Sequence, residues 1–283
     1  MRLRSVFSSG AACWLLVTGT TGLHQHFQFV YSPEPGHRVT LIFETEGNIR
    51  LNGIPNIRDA SAGEFQSMTS VTERVREDLG DGAVISVIHD SSYAQYSVEG
   101  GWVEIPAEWS ALGPFQWIRD RRFVSSPVSF PPDPFFVNVA RGLQWTPEIP
   151  LPERPLELGD TWAVEFPFPV TTQIPSDSAL VIAVDLLAQG TVRFDSIVPR
   201  ATDTLAFVSL SATLVPSTVE NAFSGPRGDL PVNLSGSING LYIWSTGWHT
   251  WVANQSHVVL QHRIIGLDAT MMLTVEAQSR IRP

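Results

Sequence analysis

The chain has a single cysteine among its 283 residues, Cys13, and no lysine at all; its 18 basic residues are all arginine. Cys13 falls inside what reads as an N-terminal leader. The mature chain is therefore expected to lack a thiol nucleophile, a disulfide and any cysteine metal ligand. A thiol-free chain suits an oxidising compartment outside the cytosol. Arginine without lysine fits a GC-rich, bacterial coding background. Positive charge is scarce: 28 acidic residues leave a formal charge of −10, and loss of Arg2 and Arg4 with the leader makes the mature chain more negative still. Such a balance repels phosphate backbones and anionic lipid surfaces, and argues against nucleic acid as a partner. Long apolar runs are missing as well. The segment 179–188 is broken by Asp185 and 264–277 by Asp268 and Glu276, so no transmembrane segment is expected in the mature chain. Heptads and short-period repeats are absent, as are the dinucleotide, P-loop, EF-hand and G-x-S-x-G patterns. No cofactor and no metal are expected.

At the N-terminus, the basic start 1–4 leads into the apolar run 11–17 (AACWLLV) and the small residues 18–22. This is the order of a secretory signal, and the run is far short of the roughly 20 residues that span a bilayer. Residues 1–22 are assigned to the signal peptide, and a periplasmic or extracellular location is expected. A lipid anchor on Cys13 is the alternative, but the apolar run follows the cysteine where it should precede it. Residues 23–283 form one β-rich domain, or two halves joined by a Pro/Trp-rich segment, 102–155.

With 43% hydrophobic residues, including 9 Trp and 15 Phe, there is material for a large core. Its periodicity is two. Segment 39–46 (VTLIFETE) is β-branched and aromatic, and Gly47-Asn48 after it predicts a hairpin into 49–51. Segments 65–79 and 83–99 flank Gly80-Asp81-Gly82, the clearest hairpin in the chain. Val71, Glu73, Val75 and Glu77 share one side of that strand and Thr72, Arg74 and Arg76 the other; its charges read as a solvated face. In the middle segment, 106–110 and 133–142 are short-helix candidates with Pro or Asp at their starts. Further strands are expected over 162–168, 180–194, 204–215, 237–244, 248–253 and 257–277, the last bent or split at Gly266-Leu267-Asp268. The fold class is all-β: a large curved antiparallel sheet, a half-barrel or two packed sheets, with one or two short helices in the middle.

Candidate chemistry is sparse. His257 and His262 lie five apart and point to opposite faces of a strand, so they make no ligand pair. His89-Asp90-Ser91-Ser92 has the residue types of a hydrolase triad, but neighbours in sequence cannot fold back on one another as base, orienter and nucleophile. Aromatic crowding is the one excess. Trp109, Phe115, Trp117, Phe135, Phe136 and Trp145 are candidate contacts for an apolar ligand, or parts of a lid, and otherwise plug the end of the sheet. The four prolines of 145–162 hold the chain extended before a structural turn at Gly159 and Asp160 that leads into Trp162.

The run 152–162, with its P-x-x-P-L-E-L-G-D-T-W order, resembles a motif of uncharacterised bacterial exported β-proteins with a P-x-x-x-G-D-x-W turn. Their architecture is similar to the half-barrel of the lipoprotein-carrier (LolA-type) family. That resemblance implies a non-catalytic binding or carrier module for a lipid or other hydrophobic small molecule. A structural or protein-interaction role with an envelope protein as partner is the alternative, and a hydrolase ranks third.

Overall fold

The computed structural model describes residues 26–32, 34–53, 61–98, 101–104, 115–128, 145–174, 180–216, 222–225, 228–264 and 269–282. Among them there is no helix, and so none long and apolar enough to cross a membrane. The two short-helix candidates and the leader lie outside the described residues. The strands are β1 (Arg38–Asn52), β2 (Ser61–Asp78), β3 (Gly82–Val98), β4 (Gly101–Glu104), β5 (Phe115–Asp120), β6 (Ser125–Pro127) and β7 (Thr161–Ile174). After them come β8 (Leu180–Pro199), β9 (Thr204–Pro216), β10 (Ala222–Gly225), β11 (Gly228–Ser245), β12 (Thr250–Ile264) and β13 (Ala269–Ile281).

All 13 belong to one antiparallel sheet, running β7-β8-β9-β11-β12-β13-β1-β2-β3-β5-β6, with β4 on β3. The short β10 extends the lane of β9, because it pairs with both β8 and β11 just beyond the end of β9. The last strand pairs with the first, from Leu41↔Ile281 to Asn52↔Thr270. The first and last strands are thus paired in mid-sheet, and the two outermost strands among the described residues, β7 and β6, follow one another in chain order.

The sheet is rolled. Six strand spacings separate β11 from β5, about 29 Å on a flat sheet, yet the rings of Trp244 in β11 and Phe123 just after β5 have centroids 5.5 Å apart. Only a sheet curled on itself brings them together. Among the described residues β7 pairs only with β8 and β6 only with β5, so the roll stays open.

Alternation decides which face turns inward. In β13, Ala269, Met271, Leu273, Val275 and Ala277 are each at most 2% exposed, while Thr270, Glu276 and Arg280 face outward. Strand β9 keeps the same rule, with Ala206, Val208, Leu210, Ala212 and Leu214 inside.

Two further stretches of chain fill the roll. Residues 26–32 run extended with Phe27, Phe29 and Tyr31 inward and His26, Gln28 and Val30 exposed. Phe29 lies 5.8 Å from Trp162, 5.6 Å from Phe194, and 6.1 Å from both Trp244 and Trp251, ring centre to ring centre. This strap is fixed by reciprocal backbone bonds between Phe27 and Leu156, each 2.8 Å. Leu156 belongs to the proline-rich segment, which buries Ile149, Leu151 and Leu156 and is tied to the turn after β5 by Leu151 N–H donating to the Arg122 carbonyl at 2.8 Å.

Two local expectations are corrected. Gly47-Asn48 makes no turn: β1 runs straight through it, and Gly47 pairs with Phe65 and Val275. The glycine is there for space, since a Cβ would stand 2.5 Å from the Phe65 ring. Residues 254–256, expected to separate two strands, lie within the continuous β12, whereas the split at 265–268 divides β12 from β13. By contrast, Gly80, at φ +82°, does turn the chain between β2 and β3.

Candidate functional site

Three of the six aromatic candidates are described, and all three are buried in the core: Phe115 and Trp117 on β5, and Trp145, whose ring meets Phe168 edge-on at 6.2 Å. Trp109, Phe135 and Phe136 lie outside the described residues. Gly159 has φ +91°, where a side chain is strained. Its N–H donates to the Phe194 carbonyl at 2.8 Å, and the Phe194 N–H donates back to the Asp160 carbonyl at 2.9 Å. The Asp160 carboxylate accepts from the Glu157 N–H and from Arg154, both at 3.1 Å, and the first of these holds it below the usual carboxylate range. Trp162 Nε1 donates to the Pro150 carbonyl at 3.0 Å. The turn thus clamps the proline-rich segment to β7 and β8.

The expectation of a solvated charged face on β2 is corrected at Glu73. It shares the inward parity of Val71 and Val75 and is 7% exposed. A register shift between Val75 and Glu77 turns Glu77 back to water. Glu73 meets Arg119 of β5, itself 3% exposed, in a two-pronged pair at 2.8 and 3.1 Å. Arg119 also donates to Glu148 and, through Nε, to Ser125 Oγ at 3.0 Å; Ser125 Oγ donates to Glu148 at 2.7 Å. Phe123 covers the guanidinium at 4.4 Å. Burial alone would lower the Arg119 pKa, but Glu148 and Glu73 outweigh it and push it well above the ordinary value, so the charge persists. Burial also raises the Tyr31 hydroxyl beside it to about 12. This cluster braces β2, β5, β6 and the proline-rich segment. No catalytic pairing emerges from it, because its carboxylates are spent on one permanently charged arginine. The sequence signal is parity: a charged residue in register with inward apolar neighbours.

The His89-Asp90-Ser91-Ser92 run is not a triad in space. His89 pairs with inward Val71, with both ring nitrogens buried, while Asp90 accepts from Thr72 at 2.8 Å on the other side. Among the described residues no three His, Cys, Asp or Glu side chains are placed to hold a metal.

The outer face of the sheet carries an open groove of about 670 Å³ across β7, β8, β9, β11, β12 and β13. One row of paired residues crosses it: Thr191, Ser211, Asn239, His257 and Glu276. A second row runs Thr161, Arg193, Ser209, Leu241 and Gln255. The ionisable positions are internally paired, Arg193 with Asp195 at 2.6 Å and His257 with Glu276. Between them the outward-facing lining is hydroxyl and amide, apart from Leu241, which is 50% exposed. Behind the groove, the inward positions Gly190, Ala212, Gly240 and Ser256 are small. At Gly190 a Cβ would stand 2.2 Å from the Ser211 carbonyl oxygen, so the backbones there approach too closely for any side chain.

No family model and no curated protein matches the chain. Among solved structures it is similar to an outer membrane channel from Pseudomonas putida F1, at 8% identity and a TM-score of 0.23, over 89% of this chain and 97% of that one. A likeness so slight bears on neither fold nor chemistry.

Proposed function

We propose that this chain is an exported, non-catalytic binding module whose working surface is the outer groove and whose interior serves as a scaffold. The observation that carries this reading is the strap: Phe27, Phe29 and Tyr31 occupy the apolar interior, while the outer face keeps an open, polar depression. Around the groove, on β8, β9 and β11–β13, outward positions such as Thr191, Ser211, Asn239, Gln255 and Arg280 are polar and the inward layer is apolar, whereas β2–β5 also expose Met68, Ile88, Tyr93, Trp102 and Ile118. In the groove region that polarity suits a surface in water and is the reverse of a lipid-facing one. The basic, apolar and small-residue order of 1–22, read from sequence as a leader, supports export.

A lipid-carrier role, which the resemblance implied, has one support of its own. The strap is held without a covalent link, so an acyl chain could take its place by displacing Phe27, Phe29 and Tyr31. Native mass spectrometry of the exported chain, with an apolar dye titrated in parallel, separates the two. A bare protein mass with no dye uptake is expected. Co-purifying lipid would overturn the scaffold reading in favour of the carrier.

A further inference from the structure

We propose that the groove binds a neutral, extended glycan of β-1,4-linked pyranose units, lying across the strands; this rests on the reading of the groove as the working surface. The chemistry of the lining selects the class of ligand. Ser209, Ser211, Asn239 and Gln255 present hydroxyl and amide groups, each both donor and acceptor, as sugar hydroxyls are. Arg193, the one arginine of the lining, is already paired with Asp195, and the His257 ring meets Glu276, so the lining offers no unpaired cation to a phosphate or carboxylate. The chain's charge of −10 also disfavours polyanions. A lone outward apolar contact, Leu241, is too little for an acyl chain but matches the C–H face of one sugar ring.

Geometry points the same way. Adjacent strands lie about 4.8 Å apart, close to the rise of one pyranose unit in an extended glycan. The row Thr191, Ser211, Asn239, His257 therefore offers one polar side chain per sugar. An extended peptide has no such match. It binds sheets by adding a strand to a free edge, and the floor over β8, β9, β11 and β12 consists of strands already paired on both sides; the groove meets an unpaired edge only at one end, where Thr161 of β7 lines it.

The test is calorimetric titration of the full mature chain with cellohexaose and chitohexaose. Wild type is expected to bind at least one of them. The double variant Asn239→Ala/Gln255→Ala, which loses two side-chain hydrogen-bonding groups, is expected to bind roughly tenfold more weakly. Ser211→Trp fills the groove and should abolish binding. Both variants change outward side chains, and an unaltered thermal melt will show that the fold persists. No binding by wild type at millimolar sugar, affinity unchanged in both variants, or a neutral polar peptide binding there instead would overturn the inference. Its failure is distinct from failure of the scaffold reading, which shows as co-purifying lipid whatever the sugar titration gives.

Discussion

His262 makes the fold sensitive to acid by an amount that can be worked out. Its side chain points inward from β12, opposite Leu234 and Met271, and is 1% exposed; neither ring nitrogen has a hydrogen-bond partner among the described residues. Burial lowers its pKa from 6.5 to about 4. In the unfolded chain the ring takes up a proton below pH 6.5, whereas in the folded protein it stays neutral until about pH 4. Between those values the unfolded state binds more protons, so stability falls as pH falls. Each pH unit that separates the two titrations is worth about 1.4 kcal/mol, so the loss is about 2 kcal/mol by pH 5 and approaches about 3 kcal/mol below pH 4. Leucine at this position cannot titrate, and it removes two ring nitrogens from apolar surroundings, so His262→Leu should be nearly neutral at about pH 7.5. Urea denaturation followed by tryptophan fluorescence, at about pH 7.5 and pH 5, reads both effects. His37 and His89 are also lowered by burial and steepen the slope of both proteins alike. Relative to wild type, the variant should therefore gain about 2 kcal/mol between the two conditions. Parallel pH slopes would refute the reasoning.

Arg119→Met leaves Glu73 and Glu148 facing each other in a buried site, and should cost about 3–5 kcal/mol in equilibrium denaturation; Arg119→Lys should not restore it, because lysine cannot make the two-pronged bond. Phe29→Ala empties the centre of the strap's aromatic cluster and is expected to cost about 3–5 kcal/mol, with apolar dye uptake appearing where wild type has none. Gly47→Ala forces a Cβ against Phe65 and should destabilise by about 1–3 kcal/mol. In thermal melts it should be worse than Gly63→Ala, since the nearest atom to a Cβ at Gly63 is the Ser97 carbonyl oxygen at 3.9 Å.

Gly47 and Gly80 show where sequence stops being informative. Each sits beside a polar residue after a strand-forming run, so local propensity reads both as turns. What separates them is tertiary: Gly80 is needed for its backbone angle, and Gly47 for the room it leaves Phe65. The second cause is invisible until the neighbouring strand is in place. Strand identity and facing, by contrast, were legible. Period-two burial in β13 and the opposite facing of His257 and His262 follow from the pleat alone.

The sites were less legible because each is assembled across strands. Glu73, Arg119 and Glu148 come from β2, β5 and the proline-rich segment; strand parity marks the first two as inward, and nothing local marks Glu148. Charge at an inward position is a stronger signal than its rarity suggests: a lone buried carboxylate is so costly that its parity predicts a buried cation elsewhere. The groove is the converse case. Serine, threonine and asparagine at outward positions are what any wetted strand carries, so no single strand reveals it. The groove exists because five strands hold a polar row in register, Thr191, Ser211 and Asn239 followed by His257 and Glu276. Register is the missing information, and it is supplied by the β8–β9, β9–β11, β11–β12 and β12–β13 pairings, which bring the rows into line.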